Sequence, residues 1–177
     1  MRKFQKVPLL CFSLLYVTGL MFYLMATIEY VSPPPVVGIV GVGSISASLF
    51  ILMVRPDREV ASFQNIIVGY ATSIIIGLIF HKVLNIQGET VLDLSQGLAY
   101  EFTAALGVLA VVIAFIRLEI DHPPAIGITL AVSIGYWNFA SLAILISAIF
   151  WLIVFRCILV HFGASNAYWW REDGKLH

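Results

Sequence analysis

The sequence predicts an all-α fold, a polytopic transmembrane bundle of about six helices with a short fifth segment. Three observations predict it. Of 177 residues, 60% are hydrophobic and only 11% are charged, where soluble domains carry about 25% charge. The mean hydropathy is +0.97. The apolar residues gather in long uncharged blocks, not in the 3.6-residue stripes of a soluble helical core. Ten basic and ten acidic side chains balance to zero, so no basic excess exists to hold nucleic acid. The partner this composition demands is the lipid bilayer.

The first block, Val7 to Ile28, follows Arg2, Lys3 and Lys6. It is longer than the ~7–15 residues of a signal-peptide core, and no Ala-x-Ala site follows, so it is expected to be a retained transmembrane helix. Ser32-Pro33-Pro34-Pro35 then stops helix propagation by removing backbone donors and biasing the preceding residues to extended geometry.

Two further blocks, Val36 to Val54 and Val60 to Phe80, flank the polar turn Arg55-Pro56-Asp57-Arg58-Glu59. At 1.5 Å per residue each is about 28 to 32 Å long, the thickness of a hydrocarbon core. His81 to Gln96 reads as the longest aqueous connection, and a fourth block runs from about Leu98 to Ile116, closed by Arg117.

Between Pro123 and Phe155 lie 33 residues without a charge, about 50 Å as a single helix and too long for a ~30 Å core. The expected break is Gly135-Tyr136-Trp137-Asn138, a glycine, an interfacial aromatic pair and an amide. It leaves a short fifth segment from Pro123 to about Tyr136 and a sixth from Phe139 to about Phe155. If the short segment crosses, nine of the ten basic residues fall on one side with Lys82 alone opposite; if it re-enters, the split is six to four. The positive-inside rule favours six crossings with both termini cytoplasmic. The membrane expected is a cell inner (plasma) membrane, there being no Arg/Ser-rich transit leader. The organisation is then residues 1–35 as an N-terminal helix and Pro-rich loop, 36–160 as the main transmembrane domain and 161–177 as a cytoplasmic tail.

Small residues recur four apart as Gly43/Ala47 and Ser44/Ser48 on the second segment and as Gly69/Ser73/Gly77 on the third. Such rows let membrane helices approach closely, and consecutive helices are usually neighbours, so the two sets are expected to meet. They are also compatible with a homo-oligomer. Cys11 and Cys157 are far apart, with no CxxC and no histidine at metal-ligand spacing, so neither a disulfide nor a metal or other cofactor is expected. Arg55, Arg117, Glu119 and Arg156 sit at segment ends, where solvation or snorkelling accounts for them, as solvation does for His81, His161 and His177.

Polar groups at a membrane boundary are costly and mark ion or substrate paths; here they are Asn65, Asp121 and His122. Asp121-His122-Pro123-Pro124-Ala125 is the sharpest local feature. Proline suits a first helical turn and aspartate a cap, which makes the motif at the least an interfacial helix start. The functional reading uses the same geometry: the amides of Ala125, Ile126 and Gly127 with the positive helix terminus form an anion-sized site. His122 is its switchable donor; Asp121 would repel an anion but also favours protonated His122, and Asn65 is either an interhelical hydrogen-bonding residue or the opposing donor.

His122-Pro123-Pro124-Ala125 with Leu130, Ser46-Ala47-Ser48 followed by an apolar run to Pro56, and Asn65 with Gly69 together resemble the HPP family of integral membrane proteins over roughly residues 36 to 160. The chain departs from the family pattern at Ser46, where glycine is usual, and at Ser62-Phe63 in place of Gln-Pro. Tyr70 stands in place of histidine, and Ile126 in place of glycine. The resemblance implies a small helical membrane domain, and plant and cyanobacterial relatives are associated with nitrite transport.

No Ser/His/Asp elbow, phosphate loop, paired carboxylates or HExxH occurs, so the chain is not expected to be an enzyme. Two function classes remain: a transporter or channel for a small anion, nitrite-like by resemblance, and a non-transporting membrane scaffold or subunit. The broken fifth segment argues for the first, since discontinuous helices facing a cavity recur in transporters. The shortage of buried ionisable groups argues for the second.

Overall fold

A computed structural model describes residues 3–31, 35–56, 58–88, 96–134 and 139–161. Among them are six α-helices, one 3₁₀ turn and no strand. They are α1 (Lys3–Val31), α2 (Pro35–Val54), the 3₁₀ turn Glu59–Ala61, α3 (Phe63–Gly88), α4 (Gln96–Leu118), α5 (Pro124–Ile134) and α6 (Phe139–His161). Large apolar side chains such as Leu15, Phe22, Phe50, Ile75, Ile116 and Phe139 face outward, an exposed apolar surface of the kind that marks membrane or partner contact. The helices of Phe63–Val83 and Phe139–His161 are each long and apolar enough to cross a membrane.

Two departures from the sequence expectation concern α3 and its partner. The helix does not stop at Phe80 but continues through His81 and Lys82 to Gly88, because nothing before that glycine breaks a helix. The expected seam between the small residues of α2 and α3 does not form. Gly43 and Ala47 are exposed, and α2 and α3 pack on α5 rather than appreciably on each other.

The short helix is the centre of the bundle. With 11 residues it is apolar on every side, as befits an element surrounded by others, and it packs on α2, α3 and α4. Glycines bring these partners close. A Cβ on Gly69 would lie 3.2 Å from His122 Cβ and 3.5 Å from Ala125 Cβ, and one on Gly77 would lie 2.7 Å from Val132 Cβ. Gly107 of α4 faces Ser133, and Gly127 of α5 faces Ser44 of α2. These pairings make α5 parallel to α3 and antiparallel to α2 and α4. The Ser44/Ser48 and Gly69/Ser73/Gly77 rows are therefore packing surfaces, but for α5.

α1 lies on α2 and α6, where Tyr16 stacks on Phe155 at 4.7 Å and donates to the Trp151 carbonyl at 2.8 Å. Cys11 and Cys157 are free and exposed. The expected break at Gly135–Asn138 and the residues of the 161–177 tail beyond His161 lie outside the described residues.

Candidate functional site

The α4–α5 connection is built as a helix stop followed directly by a helix start. α4 ends in a Schellman arrangement in which the Ile120 amide donates to the Phe115 carbonyl at 2.9 Å. Glu119 takes the left-handed conformation, φ 54°, that this motif requires at its first residue past the helix and that glycine usually supplies. The chain then turns through Asp121, His122 and Pro123 into α5. Asp121 and Pro123 are exposed, while His122 between them is fully buried.

Both imidazole nitrogens are engaged. Nδ1 lies 2.8 Å from the Val60 carbonyl and Nε2 lies 2.9 Å from Ser48 Oγ. A carbonyl only accepts, so Nδ1 carries the hydrogen and, in the neutral ring, Nε2 accepts from Ser48. Ser48 Oγ is in turn 2.8 Å from Tyr70 Oη, which also reaches the Ser44 carbonyl at 3.3 Å. Ser48, Tyr70 and His122 are all wholly shielded, so these bonds form where water does not compete. They connect α2, α3 and the α4–α5 connection, and Ser48 and Tyr70 bridge the space between two helices that otherwise barely meet.

The 3₁₀ turn supplies a second set of links through three successive carbonyls. Glu59 accepts from Asn65 Nδ2 at 2.9 Å, Val60 from His122, and Ala61 from Arg156 Nε of α6. Ser62 caps α3 by accepting the Asn65 amide at 3.1 Å, the arrangement expected of a serine at that position. Arg156, expected to be merely solvated, thus ties α6 to the turn. At the opposite end His81, also expected to be solvated, is half-buried and its Nδ1 lies 3.3 Å from the Ser133 carbonyl in the last turn of α5.

Of the residues singled out in the sequence, His122, Pro123, Pro124 and Ala125 form the start of α5, His122 and Ala125 buried and Pro123 exposed, and Asn65 reaches the same 3₁₀ turn through the Glu59 carbonyl. Their donors are not free for an anion in this conformation. The Ala125 amide donates to the His122 carbonyl at 3.0 Å and the Ile126 amide to Pro123 at 3.1 Å, and the Asn65 side-chain amide holds Glu59. Nor does Asp121 govern His122: burial pushes the imidazole below its ordinary value and outweighs the Val60 bond and the Asp121 charge, both of which act upward. Sequence reasoning missed Tyr70, Arg156 and the role of Ser48. In the sequence Ser48 stands out as a member of a small-residue row and of the Ser46-Ala47-Ser48 segment, and Tyr70 as a departure from a family pattern, neither of which points to a hydrogen-bonded partner of His122.

An open apolar groove of about 550 Å³ lies elsewhere, between α1 and α6, lined by Leu15, Tyr16, Gly19, Leu20, Tyr23 and Trp151. None of Ser48, Tyr70 and His122 is among the residues that line it.

The family model described as HPP, transmembrane region, matches residues 6–168. The chain belongs to the HPP family. It is accordingly an integral membrane protein, and the HPP tripeptide at residues 122–124 is the helix start just described. No curated protein and no solved structure matches the chain.

Proposed function

We propose that this HPP protein is a transporter or channel for a small anion, with nitrite the guess led by the family resemblance. The observation that carries the reading is His122, an ionisable side chain fully buried at the start of a short helix in the centre of the bundle. An ionisable group at or just inside a membrane boundary is costly to bury and marks ion or substrate paths, and a short helix within the bundle is the kind of discontinuous element that transporters use. When protonated, His122 places a positive charge beside the positive end of α5, a pairing that draws an anion once the connection opens. Pro123, Pro124 and Ala125 shape that end, while Asn65 supports it through the 3₁₀ turn and Asp121 lies outside on the surface.

Charge distribution supports the orientation. Arg55, Arg58, Arg117 and Arg156 belong to the bundle end that carries His122, and Lys82 to the end that carries His81. By the positive-inside rule the His122 end is cytoplasmic, as are both termini, in a cell inner membrane. A second reading, a membrane scaffold or subunit, is favoured by the internal pairing of the Ala125, Ile126 and Asn65 donors.

Uptake by purified protein in liposomes against nitrite, nitrate, formate, bicarbonate and chloride separates the two. Entry of at least one anion above empty liposomes, reduced by His122→Gln, is expected of a transporter. A flat response across the panel removes the transport reading and favours the scaffold.

A further inference from the structure

We propose that His122, Ser48 and Tyr70 form a reversible proton-binding relay whose hydrogen-bond direction inverts when His122 Nε2 takes up a proton. The geometry contains two complete bonding patterns on one set of heavy atoms. With His122 neutral, Tyr70 Oη donates to Ser48 Oγ at 2.8 Å, Ser48 donates to Nε2 at 2.9 Å, and Nδ1 donates to the Val60 carbonyl at 2.8 Å. With His122 protonated, Nε2 donates to Ser48, Ser48 donates to Tyr70, and Tyr70 swings its hydrogen onto the Ser44 carbonyl, already 3.3 Å away. Nδ1 keeps its bond in both.

The second pattern needs an acceptor at the end of the chain, and the Ser44 carbonyl is that acceptor. A buried histidine with no such chain would leave a charged N–H unpaired on protonation, a large penalty. Here one added proton turns two hydroxyl rotors and leaves no donor without a partner. No covalent bond changes, and the proton comes from and returns to water by opening of the connection, whose Asp121 and Pro123 are already exposed.

The charged and titratable surroundings do not supply the switch in place of His122. Tyr70 is what α3 directs at it, Asp121 and Glu119 on its own connection are exposed, Glu59 of the 3₁₀ turn is exposed, and Arg156 of α6 is engaged with Ala61. From α2 the facing side chain is Ser48, with Arg55 exposed beyond the helix end. Burial accordingly dominates and holds the ring neutral at neutral pH.

The relay makes a proton the coupling ion of the anion transport proposed above, and this consequence rests on that reading; the relay itself does not. Two measurements keep them apart. Nitrogen-15 spectra of the histidines in the full chain in lipid nanodiscs, with His122 assigned by loss of its signals in His122→Gln, report tautomer and protonation. The expected result is an Nδ1–H neutral ring above pH 7 that becomes an imidazolium on acidification with a midpoint below that of exposed histidine. Ser48→Ala moves that midpoint lower still, and Ser48→Thr restores it. An Nε2–H tautomer, or a ring that stays neutral until the protein unfolds, overturns the relay whether or not any anion is carried.

Liposome uptake is then repeated with and without an imposed proton gradient. Acceleration by a gradient acid on the donor side, lost in His122→Gln, is expected. Anion uptake indifferent to the gradient overturns the coupling while leaving transport standing. No uptake of any anion removes the transport reading, and the relay is then decided by the spectra alone.

Discussion

Ser48 and His122, 74 positions apart in the chain, meet with Oγ 2.9 Å from Nε2 in a fully buried contact. Each makes the other tolerable: a serine and an imidazole isolated at this depth would each be a desolvated polar group without a partner.

Removing the hydroxyl leaves Nε2 without its donor, and an unsatisfied buried acceptor costs about 1–3 kcal/mol. Ser48→Ala is therefore expected to lower the thermal midpoint in detergent, and Ser48→Thr to recover most of it. Equal midpoints for Ser48→Ala and the parent would mean that the bond contributes nothing to stability.

Glycines on α2 and α3 are expected to differ sharply. Gly43→Ala meets nothing within 4 Å and should be silent, or slightly stabilising through helix propensity. Gly69→Ala and Gly77→Ala press on His122 and Val132 and should cost about 1–3 kcal/mol as overpacking, Gly77→Ala the more because its nearest neighbour is the branched Cβ of Val132 at 2.7 Å. Thermal midpoints of the three variants in one detergent check the order.

Glu119 holds a left-handed conformation that costs a non-glycine residue about 1–2 kcal/mol. Its side chain is exposed, so little is lost with it. Glu119→Gly is expected to stabilise the protein by about 1 kcal/mol, read as a higher melting temperature.

His122 sets the acid limb of stability. Its folded-state value lies below its ordinary one, so the unfolded chain binds the proton more readily. The stability contributed by the neutral buried ring is then complete above about pH 6.5. It falls on acidification through that value by up to about 1.4 kcal/mol per pH unit. Melting temperature against pH should show this slope in the parent and a flatter one in His122→Gln.

Much of the helical architecture was legible because charge spacing alone delimits the apolar segments that form the six helices. What periodicity could not supply was partnership. Gly69 and Gly77 announce a close approach without naming the helix that approaches. The rule that consecutive helices are neighbours failed because α5, apolar on every side, fits between α2 and α3. The site was half legible. His122 stood out as an ionisable residue ahead of two prolines, but Tyr70 sits in an uncharged block where an aromatic residue usually means core or lipid contact. Only its hydroxyl, placed on Ser48 by the fold, makes it polar in function. The amides of Ala125 and Ile126 looked free because a helix start normally leaves them so; tight turns back to His122 and Pro123 occupy them.

The brevity of α5 also bears on how the protein is made. Eleven residues span about 16 Å, so this segment cannot anchor itself across a lipid core as it leaves the ribosome. Its partners α2, α3 and α4 all precede it in the chain. By the time α5 emerges, the cleft it must enter can already stand in the membrane, lined with the small residues that admit it. Chain order can thus double as assembly order, with α6, the last of the described helices, joined to the 3₁₀ turn through Arg156.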